Sequence, residues 1–236
     1  APASLTTGTR LRTYRLAVSA QGEYTQFHGG TVGGAMAAIA TTVNRVTGIF
    51  ERDFAVRLEL VANNNLIVYT DSATDPFSEN ASTDATLIEN HANTVTVIGS
   101  ANFDVGHLFN TGGGGLAGLG VVCRSIDKGE GAVGSPTPMG DPFDVDFVAH
   151  EFGHQFGADH TFNGISGNCS GANRNTATAF ELGSGSTIMS YAGLCLVDDV
   201  QDLVNPYFHA ASLKQVFDFL NTQTCDANVA SSNTPP

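Results

Sequence analysis

The sequence predicts an α/β fold, in which strands and helices alternate up to residue 156 and a largely irregular segment follows. The alternation shows in the spacing of apolar residues, which switches between every second and every third or fourth position. Residues 161–187 are rich in Gly, Asn, Ser and Thr and have little periodicity, so the composition changes after residue 160. A chain of 236 residues suffices for one large domain or for two small lobes that share a cleft.

Apolar spacing and turn residues together divide the chain into elements. Strands are predicted over residues 12–20, 55–62, 66–70, 104–109 and 116–123, with one short strand expected within 128–140. Helices are predicted over residues 31–50, 142–156 and 212–222, with N-caps at Thr31, Asp141 and Ser212. Residues 82–99 fit a helix or a strand, and we favour the helix. The last ten residues, 227–236, are expected to be a tail or the start of a linker.

Composition and charge exclude several classes of function. Acidic residues outnumber basic ones 23 to 10, and an anionic surface repels phosphate backbones, so we expect no nucleic-acid partner. No apolar run approaches the roughly 20 residues that span a bilayer, so we expect no membrane insertion. The first residues lack a basic-then-apolar signal pattern. Either there was never a signal or the chain is a processed form.

Four cysteines are spread widely along the chain, at positions 123, 169, 195 and 225. None forms a CxxC pair, which argues against a cysteine zinc site. An even, widely spaced set fits two disulfides and an oxidising compartment. The alternative of four buried free thiols stays open on composition alone.

The stretch HEFGHQFGADH, residues 150–160, holds three of the seven histidines. On a helix, His150 and His154 lie one turn apart on the same side, so their imidazoles can share one metal ion. Gly157 is placed to end the helix in a left-handed turn and to let His160 approach as a third ligand. Glu151 lies about 100° further round the helix, within reach of a water on that metal.

These residues together favour a catalytic zinc site. Three neutral imidazoles leave Zn²⁺ an open fourth position for water, and bound zinc lowers the pKa of water to about 7. A neighbouring carboxylate can then take the proton. The alternative is that the histidines are ordinary surface and core residues, and Gly157 and His160 at these positions make it a weak one.

The pattern HExxHxxGxxH resembles the zinc signature of the metzincin metallopeptidases. That clan also has a tight turn with a methionine below the metal, and STIMSYAG (residues 186–193) resembles it, with Met189 as the Met-turn residue. Within the clan the chain is most similar to the reprolysin (adamalysin) branch and its secreted bacterial relatives, from about residue 11 to 226. Two positions depart from that branch: Thr161 stands where reprolysins have Asp, and Tyr191 where they usually have Pro. Astacins, serralysins and pappalysins also have Tyr two residues after the methionine.

The resemblance implies a single catalytic domain of two lobes. The upper lobe, residues 1–157, would hold a twisted, mostly parallel five-stranded sheet with long helices and the helix of the active site. The lower lobe, residues 158–236, would be irregular, carry the third zinc ligand and the Met-turn, and end in a helix. The reprolysin pattern also implies two disulfides, Cys123–Cys225 and Cys169–Cys195.

The resemblance further implies a secreted zinc endopeptidase that cleaves internal bonds of extended peptides. His150, His154 and His160 would bind one zinc, Glu151 would be the general base, and Tyr191 would stabilise the oxyanion or act as a fifth ligand. Substrate would lie along an edge strand and in the S1′ pocket, against Leu116, Ala117, Gly118, Leu119, Gly120, Ala192, Gly193 and Leu194. A monomer is expected.

Two other functions and a second metal are alternatives to a zinc endopeptidase with zinc alone. A catalytically inactive peptide-binding module on the same scaffold is disfavoured because Glu151 is intact, and a zinc hydrolase for non-peptide bonds is disfavoured by Met189 and the edge strand. Calcium is left open: Arg15 stands where adamalysins carry a calcium-binding carboxylate, and an acid is expected to pair with it instead.

Overall fold

The computed structural model of the protein describes residues 10–230, which form one mixed sheet with helices packed against it. The strands are β1 Arg10–Ala20, β2 Val56–Leu60, β3 Val105–Asn110, β4 Gly114–Ala117, β5 Gly131–Gly134 and β6 Ala227–Ala230. The helices are α1 Gly22–Phe27, α2 Val32–Phe54, α3 Asp84–Val97, α4 Asp141–Phe143, α5 His150–Gln155 and α6 Ala210–Leu220, with a π-helical segment, Asp144–Ala149, between α4 and α5.

The sheet is mostly parallel, as predicted. Its order is β2-β1-β3-β5-β4, and β1 pairs in parallel with β2 and β3, as β3 does with β5. β4 is antiparallel to β5 and forms one end of that order. The sheet has six strands rather than five, because Ala227–Ala230, expected in the tail, pair antiparallel with the first residues of β1. The rest of the expected tail, residues 231–236, lies outside the described residues.

The helices mostly follow the prediction, and their caps explain the differences in their bounds. Thr31 caps α2 as expected, since its side chain accepts a hydrogen bond from the amide of Gly34. α2 runs on to Phe54 and ends at Ala55, which adopts the left-handed conformation. The N-cap predicted at Ser212 is wrong: the ring of His209 accepts the hydrogen bond that starts α6. The short helix α1 was not predicted.

The strand predicted at residues 66–70 is wrong. Asn64 is buried, and its side-chain amide binds both the amide and the carbonyl of Val18 on β1, at 2.7 and 2.9 Å. The backbone amide and carbonyl of Val18 therefore already have hydrogen-bond partners and cannot pair with a further strand. The chain forms a short 3₁₀ turn over Asn64–Ile67 instead. Only Val68 bridges to the sheet, opposite Ala20.

The strand predicted at residues 116–123 ends at Ala117 and starts earlier, at Gly114. The amides of Gly120 and Val121 donate instead to the carbonyls of His154 and Gln155, at 2.9 and 3.0 Å. Those carbonyls are among the last of helix α5 and have no partner within it. The chain after β4 thus caps a helix rather than extending the sheet.

The core lies between the sheet, α2 and the helix of residues 150–155. Phe50 on α2 contacts Phe152, Phe156 and Phe208 edge-on, with ring centroids 5.4–6.3 Å apart. On the sheet side, Tyr14 of β1 packs edge-on against Phe156 at 5.3 Å. All of these rings are buried. This packing fixes α5 against the sheet and therefore fixes where its other face points.

Two disulfides, Cys123–Cys225 and Cys169–Cys195, tie the chain, in the pairing that the resemblance implied. The first joins the segment after β4 to the end of the chain, and the second closes part of the irregular segment. No helix within residues 10–230 combines the length and the hydropathy needed to cross a membrane. The division into lobes at residue 157 stays a prediction.

Candidate metal centre

Three consecutive helical segments, α4, the π-helical residues 144–149 and α5, make up what we call the site helix. It runs over the predicted residues, but Asp141 is not its N-cap. Gly140 holds that position with a φ of 71°, because the carboxylate of Asp141 pairs with Arg45 at 2.8 Å. The π-helical stretch lies immediately before His150, and such stretches are frequent at functional sites.

Three histidine rings converge at the end of the site helix. His150 and His154 lie one turn apart on α5, with ring centroids 4.8 Å apart. Gly157 then takes a φ of 91° and reverses the chain, so that His160 returns to the same point. The Nε2 atom of His160 lies 3.1 Å from Nε2 of His150 and 3.1 Å from Nε2 of His154.

A main-chain carbonyl orients each ring. Nδ1 of His150 lies 2.7 Å from the oxygen of Ile188, and Nδ1 of His154 lies 2.7 Å from that of Ala158. Nδ1 of His160 lies 2.6 Å from the oxygen of Asn173. A carbonyl only accepts, so each Nδ1 carries the ring proton and each Nε2 keeps a free lone pair.

The three Nε2 lone pairs fit a cation. Burial lowers the pKa of all three imidazoles, that of His154 to about 3, so the rings are neutral at neutral pH. Neutral nitrogens that carry only lone pairs cannot donate hydrogen bonds to one another, whereas one metal ion accepts all three. Within residues 10–230 this is the only group of three or more His, Cys, Asp or Glu arranged to hold a metal.

Calcium finds no support in the described residues. Arg15 pairs with a carboxylate, as expected: its guanidinium donates to both oxygens of Asp104, at 2.6 and 3.0 Å. The pair links β1 to the residue before β3 and has a structural role.

Met189 lies below the histidines and is fully buried. A side chain on Gly153, in the middle of α5, would overlap the Met189 sulfur, so the glycine allows the two segments to touch. The carbonyl of Met189 accepts a hydrogen bond from the amide of Thr161, at 3.0 Å, directly after His160. The Met189 turn is thereby joined both to the helix and to the third histidine.

Glu151 is buried beside the histidines, and its carboxylate has no hydrogen-bond partner within residues 10–230. Burial raises its pKa to about 8. On one side it touches strand β4, where a Cβ on Gly115 would overlap the carboxylate. The run of four glycines at residues 112–115 therefore contributes Gly114 and Gly115 to a strand and makes room for this acid.

Tyr191 packs against two of the histidines, with its ring centroid 4.5 Å from that of His160 and 5.7 Å from that of His150. It also stacks on Phe162 at 4.6 Å. Burial raises its pKa to about 12, and the charge of Glu151 acts in the same direction. Its phenol is therefore protonated at neutral pH and able to donate a hydrogen bond.

A cavity of about 340 Å³ opens beside the centre. Its lining includes His150, Glu151 and three of the residues predicted to bind substrate, Ala192, Gly193 and Leu194. The other five predicted substrate residues are absent from this lining: Leu116 and Ala117 belong to β4, and Gly118, Leu119 and Gly120 follow it. Strand β4 contributes Gly114 and Gly115 to the cavity instead.

Glu181 holds together the two segments that carry His160 and Met189, and the sequence patterns did not predict this role. Its carboxylate accepts hydrogen bonds from the hydroxyls of Thr161 and Thr187, at 2.5 Å each, and from the amides of Ser186 and Thr187, at 2.8 and 3.1 Å. It thus links the residue after His160 to the turn before Met189. One signal was available: Glu181 is the only acid between residues 161 and 197.

A three-histidine centre beside a buried carboxylate is the arrangement of metal-dependent hydrolases. The sequence matches the profile of Metallo-peptidase family M12B Reprolysin-like over residues 9–216, so the chain belongs to this family of metalloproteases. We found no curated protein that matches the sequence.

Solved structures of similar fold include metalloproteinase-II from Bacteroides fragilis, with 14% identity and a TM-score of 0.49 over 91% of this chain and 55% of that one. Myroilysin matches with 14% identity and a TM-score of 0.45, over 88% and 82% of the two chains. A chain in a chaperone–substrate complex matches with 14% identity and a TM-score of 0.46, over 90% and 36%. The present chain thus spans about a third of the chaperone-complex chain and about half of metalloproteinase-II.

Replacing Glu181 by Ala should lower the free energy of unfolding by about 3 kcal/mol, because buried donors lose a charged acceptor. Burial raises the pKa of Glu181, but its hydrogen bonds outweigh this and hold the pKa below its ordinary value. Its contribution is therefore present above the unfolded-state pKa and is lost as the pH falls through the folded-state pKa.

Urea unfolding at neutral and acidic pH measures this effect. Glu59→Ala, an exposed glutamate on β2, is the matched control and should change stability by less than about 0.5 kcal/mol. Equal stability of the two variants at neutral pH would contradict the assignment.

Proposed function

We propose that this chain is a secreted zinc endopeptidase that hydrolyses internal bonds of extended peptides, with Glu151 as its proton-transfer group. One observation carries the proposal: three unprotonated Nε2 atoms converge beside a buried, unpartnered carboxylate that touches the strand at the end of the sheet. Metal site, base and a backbone edge for substrate therefore meet at one point.

The donor set of the centre fits zinc. Neutral imidazoles are typical zinc ligands, and two of them on a tetrahedral ion lie about 3.3 Å apart, close to the observed 3.1 Å. His150, His154 and His160 would hold the ion. Bound zinc would supply a Lewis acid, which makes water more acidic and polarises a carbonyl.

Glu151 would move the proton. Its carboxylate would take a proton from the attacking water and deliver it to the leaving amine, acting as base and then as acid. Burial favours the neutral form of this group, whereas a cation held by the neighbouring histidines would favour the carboxylate. With no other hydrogen-bond partner in the described chain, the carboxylate is free to serve the reacting water.

Substrate would bind along strand β4 by β-augmentation. β4 pairs with β5 and lies at one end of the sheet order, so its other edge would present backbone amides and carbonyls to an extended peptide. The cavity lined by Ala192, Gly193 and Leu194 would take the side chain after the scissile bond, as an S1′ pocket.

Two disulfides support an oxidising, extracellular location. Finding the protein in the cytosol rather than in the medium of its source cells would contradict that location.

Glu151→Gln should fold and keep about one equivalent of zinc but lose about 10²–10⁴-fold in casein hydrolysis, because the ligands are untouched and the base is gone. Elemental analysis and the casein assay measure the two quantities. His154→Ala is the companion variant and should lose metal and activity together. A zinc-loaded Glu151→Gln variant that is as active as wild type would sink the assignment. A wild-type protein that binds peptide without cleaving it would indicate an inactive binding module.

Tyr191→Phe should lower kcat by about 10²-fold with little change in KM, if the hydroxyl donates to the developing oxyanion. Tyr207→Phe is a suitable control, since Tyr207 is exposed and does not line the cavity. An unchanged kcat would leave Tyr191 as a wall of the cavity only.

Gly115→Ala should lower kcat/KM by about 10²-fold while stability and zinc content stay near wild type. The added methyl group overlaps Cγ, Cδ and Oε1 of Glu151 and no backbone atom is among its nearest neighbours, so the Glu151 side chain turns away and carries its carboxylate with it. Gly48→Ala on α2 is the matched control, because a Cβ there meets nothing within 4 Å. Equal activity of the two variants would show that Glu151 does not depend on Gly115 for its position.

A further inference from the structure

We propose that the cavity beside the metal centre selects substrates with arginine or lysine immediately after the scissile bond, and that Asp146 recognises the cationic head of that side chain. This inference rests on the proposed peptidase function and specifies its substrate class. It is carried by the position of Asp146, by its missing ionic partner and by the walls of the cavity.

Asp146 lines the same cavity as His150 and Glu151. It lies in the π-helical part of the site helix, four residues before His150, and both residues line the cavity. A long side chain that enters the cavity next to the metal centre can therefore bring its end to the Asp146 carboxylate.

The carboxylate of Asp146 is half-buried and lacks an ionic partner. One of its oxygens accepts a hydrogen bond from the amide of Val204, at 3.3 Å. Within residues 10–230, no Lys or Arg lies within 4.0 Å of it, although seven other acidic side chains have such a partner. Burial raises the pKa of Asp146 to about 6, and the negative charge of Asp141 acts in the same direction. At neutral pH the group is mostly ionised, and a bound cation would relieve its partial desolvation.

The remaining walls fit the aliphatic stem of a basic side chain. Phe147, Leu194, Leu203 and Val204 present apolar surface to the cavity. Arginine and lysine place their methylene groups along such surface and keep their charged end at a polar group. Asp202, exposed and also in the lining, adds a second negative charge. The volume of about 340 Å³ is at the small end of ligand sites and suits one long side chain.

Other side chains fit this cavity less well. An apolar residue would desolvate Asp146 further without pairing with it, and an acidic residue would be repelled by it. The cavity therefore combines attraction for a basic residue with a penalty for the alternatives.

A peptide series that differs only in the residue after the scissile bond, Arg, Lys, Leu or Glu, tests the proposal. For wild type we expect kcat/KM for Arg and Lys to exceed that for Leu by about tenfold or more, with Glu lowest. Asp146→Asn, which keeps the size of the side chain and an acceptor for the Val204 amide, should lose that advantage: kcat/KM should fall about tenfold for the Arg and Lys peptides and should not fall for the Leu peptide, which no longer desolvates a charge. Asp218→Asn, an exposed partner of Lys214 on α6, is the matched control and should behave as wild type.

The outcomes separate this inference from the proposed function. A wild-type preference for Leu, or an equal loss for Arg and Leu peptides in Asp146→Asn, would overturn the role of Asp146. The wild-type series decides the preference even if the variant does not fold. If no peptide is cleaved, the peptidase proposal fails, and the same labelled peptides are then used in fluorescence anisotropy. Tighter binding of the Arg peptide that Asp146→Asn weakens would support the cavity's selectivity, and equal binding would overturn it.

Discussion

The convergence of three unprotonated imidazole nitrogens, with Nε2 of His160 only 3.1 Å from Nε2 of both His150 and His154, is the constraint on which the architecture depends. Such an arrangement is unfavourable without a cation, so each ring must be held by something other than the metal ion. Main-chain carbonyls do this, at Ala158 in the turn after the helix, Ile188 before Met189 and Asn173 in a short 3₁₀ segment. The centre is therefore built by three separate stretches of chain, and only one of them is the helix.

The same requirement shapes the irregular segment, residues 161–187, whose only helices are two short 3₁₀ turns. Its carbonyls must point at the rings, and its own polar groups need partners. Glu181 meets that need by gathering the donors of Thr161, Ser186 and Thr187 around one carboxylate. Glycine serves the close contacts, at Gly153 against Met189 and at Gly115 against Glu151, where any side chain would overlap its neighbour. Order here comes from hydrogen bonds and close packing rather than from repeating secondary structure.

The sequence predicts the parts of the fold that are set by local periodicity. α2 and the strands β2 and β3, which pair in parallel with β1, follow the spacing of their apolar residues. The histidine spacing and Gly157 likewise predict the convergence of the rings, because both follow from helix geometry. Errors arise where a distant group takes a backbone partner: Asn64 occupies the edge of β1, and the carbonyls of α5 draw Gly120 and Val121 out of a strand. No local pattern contains these contacts, since the partners lie more than 30 residues apart in the chain.

Three acidic side chains near the centre differ in their partners, and that difference separates their roles. Glu181 is surrounded by donors, which hold its pKa low despite burial, so it is a fixed anion suited to support. Glu151 has no hydrogen-bond partner in the described chain and a raised pKa, which suits the proton transfer that we propose for it. Asp146 lies between these cases: one amide holds it, burial raises its pKa moderately, and it lines a cavity whose walls include no Lys or Arg. In the proposed function the same functional group would thus serve structure, proton transfer or recognition according to what surrounds it, and those surroundings are set by how the irregular segment folds against the site helix.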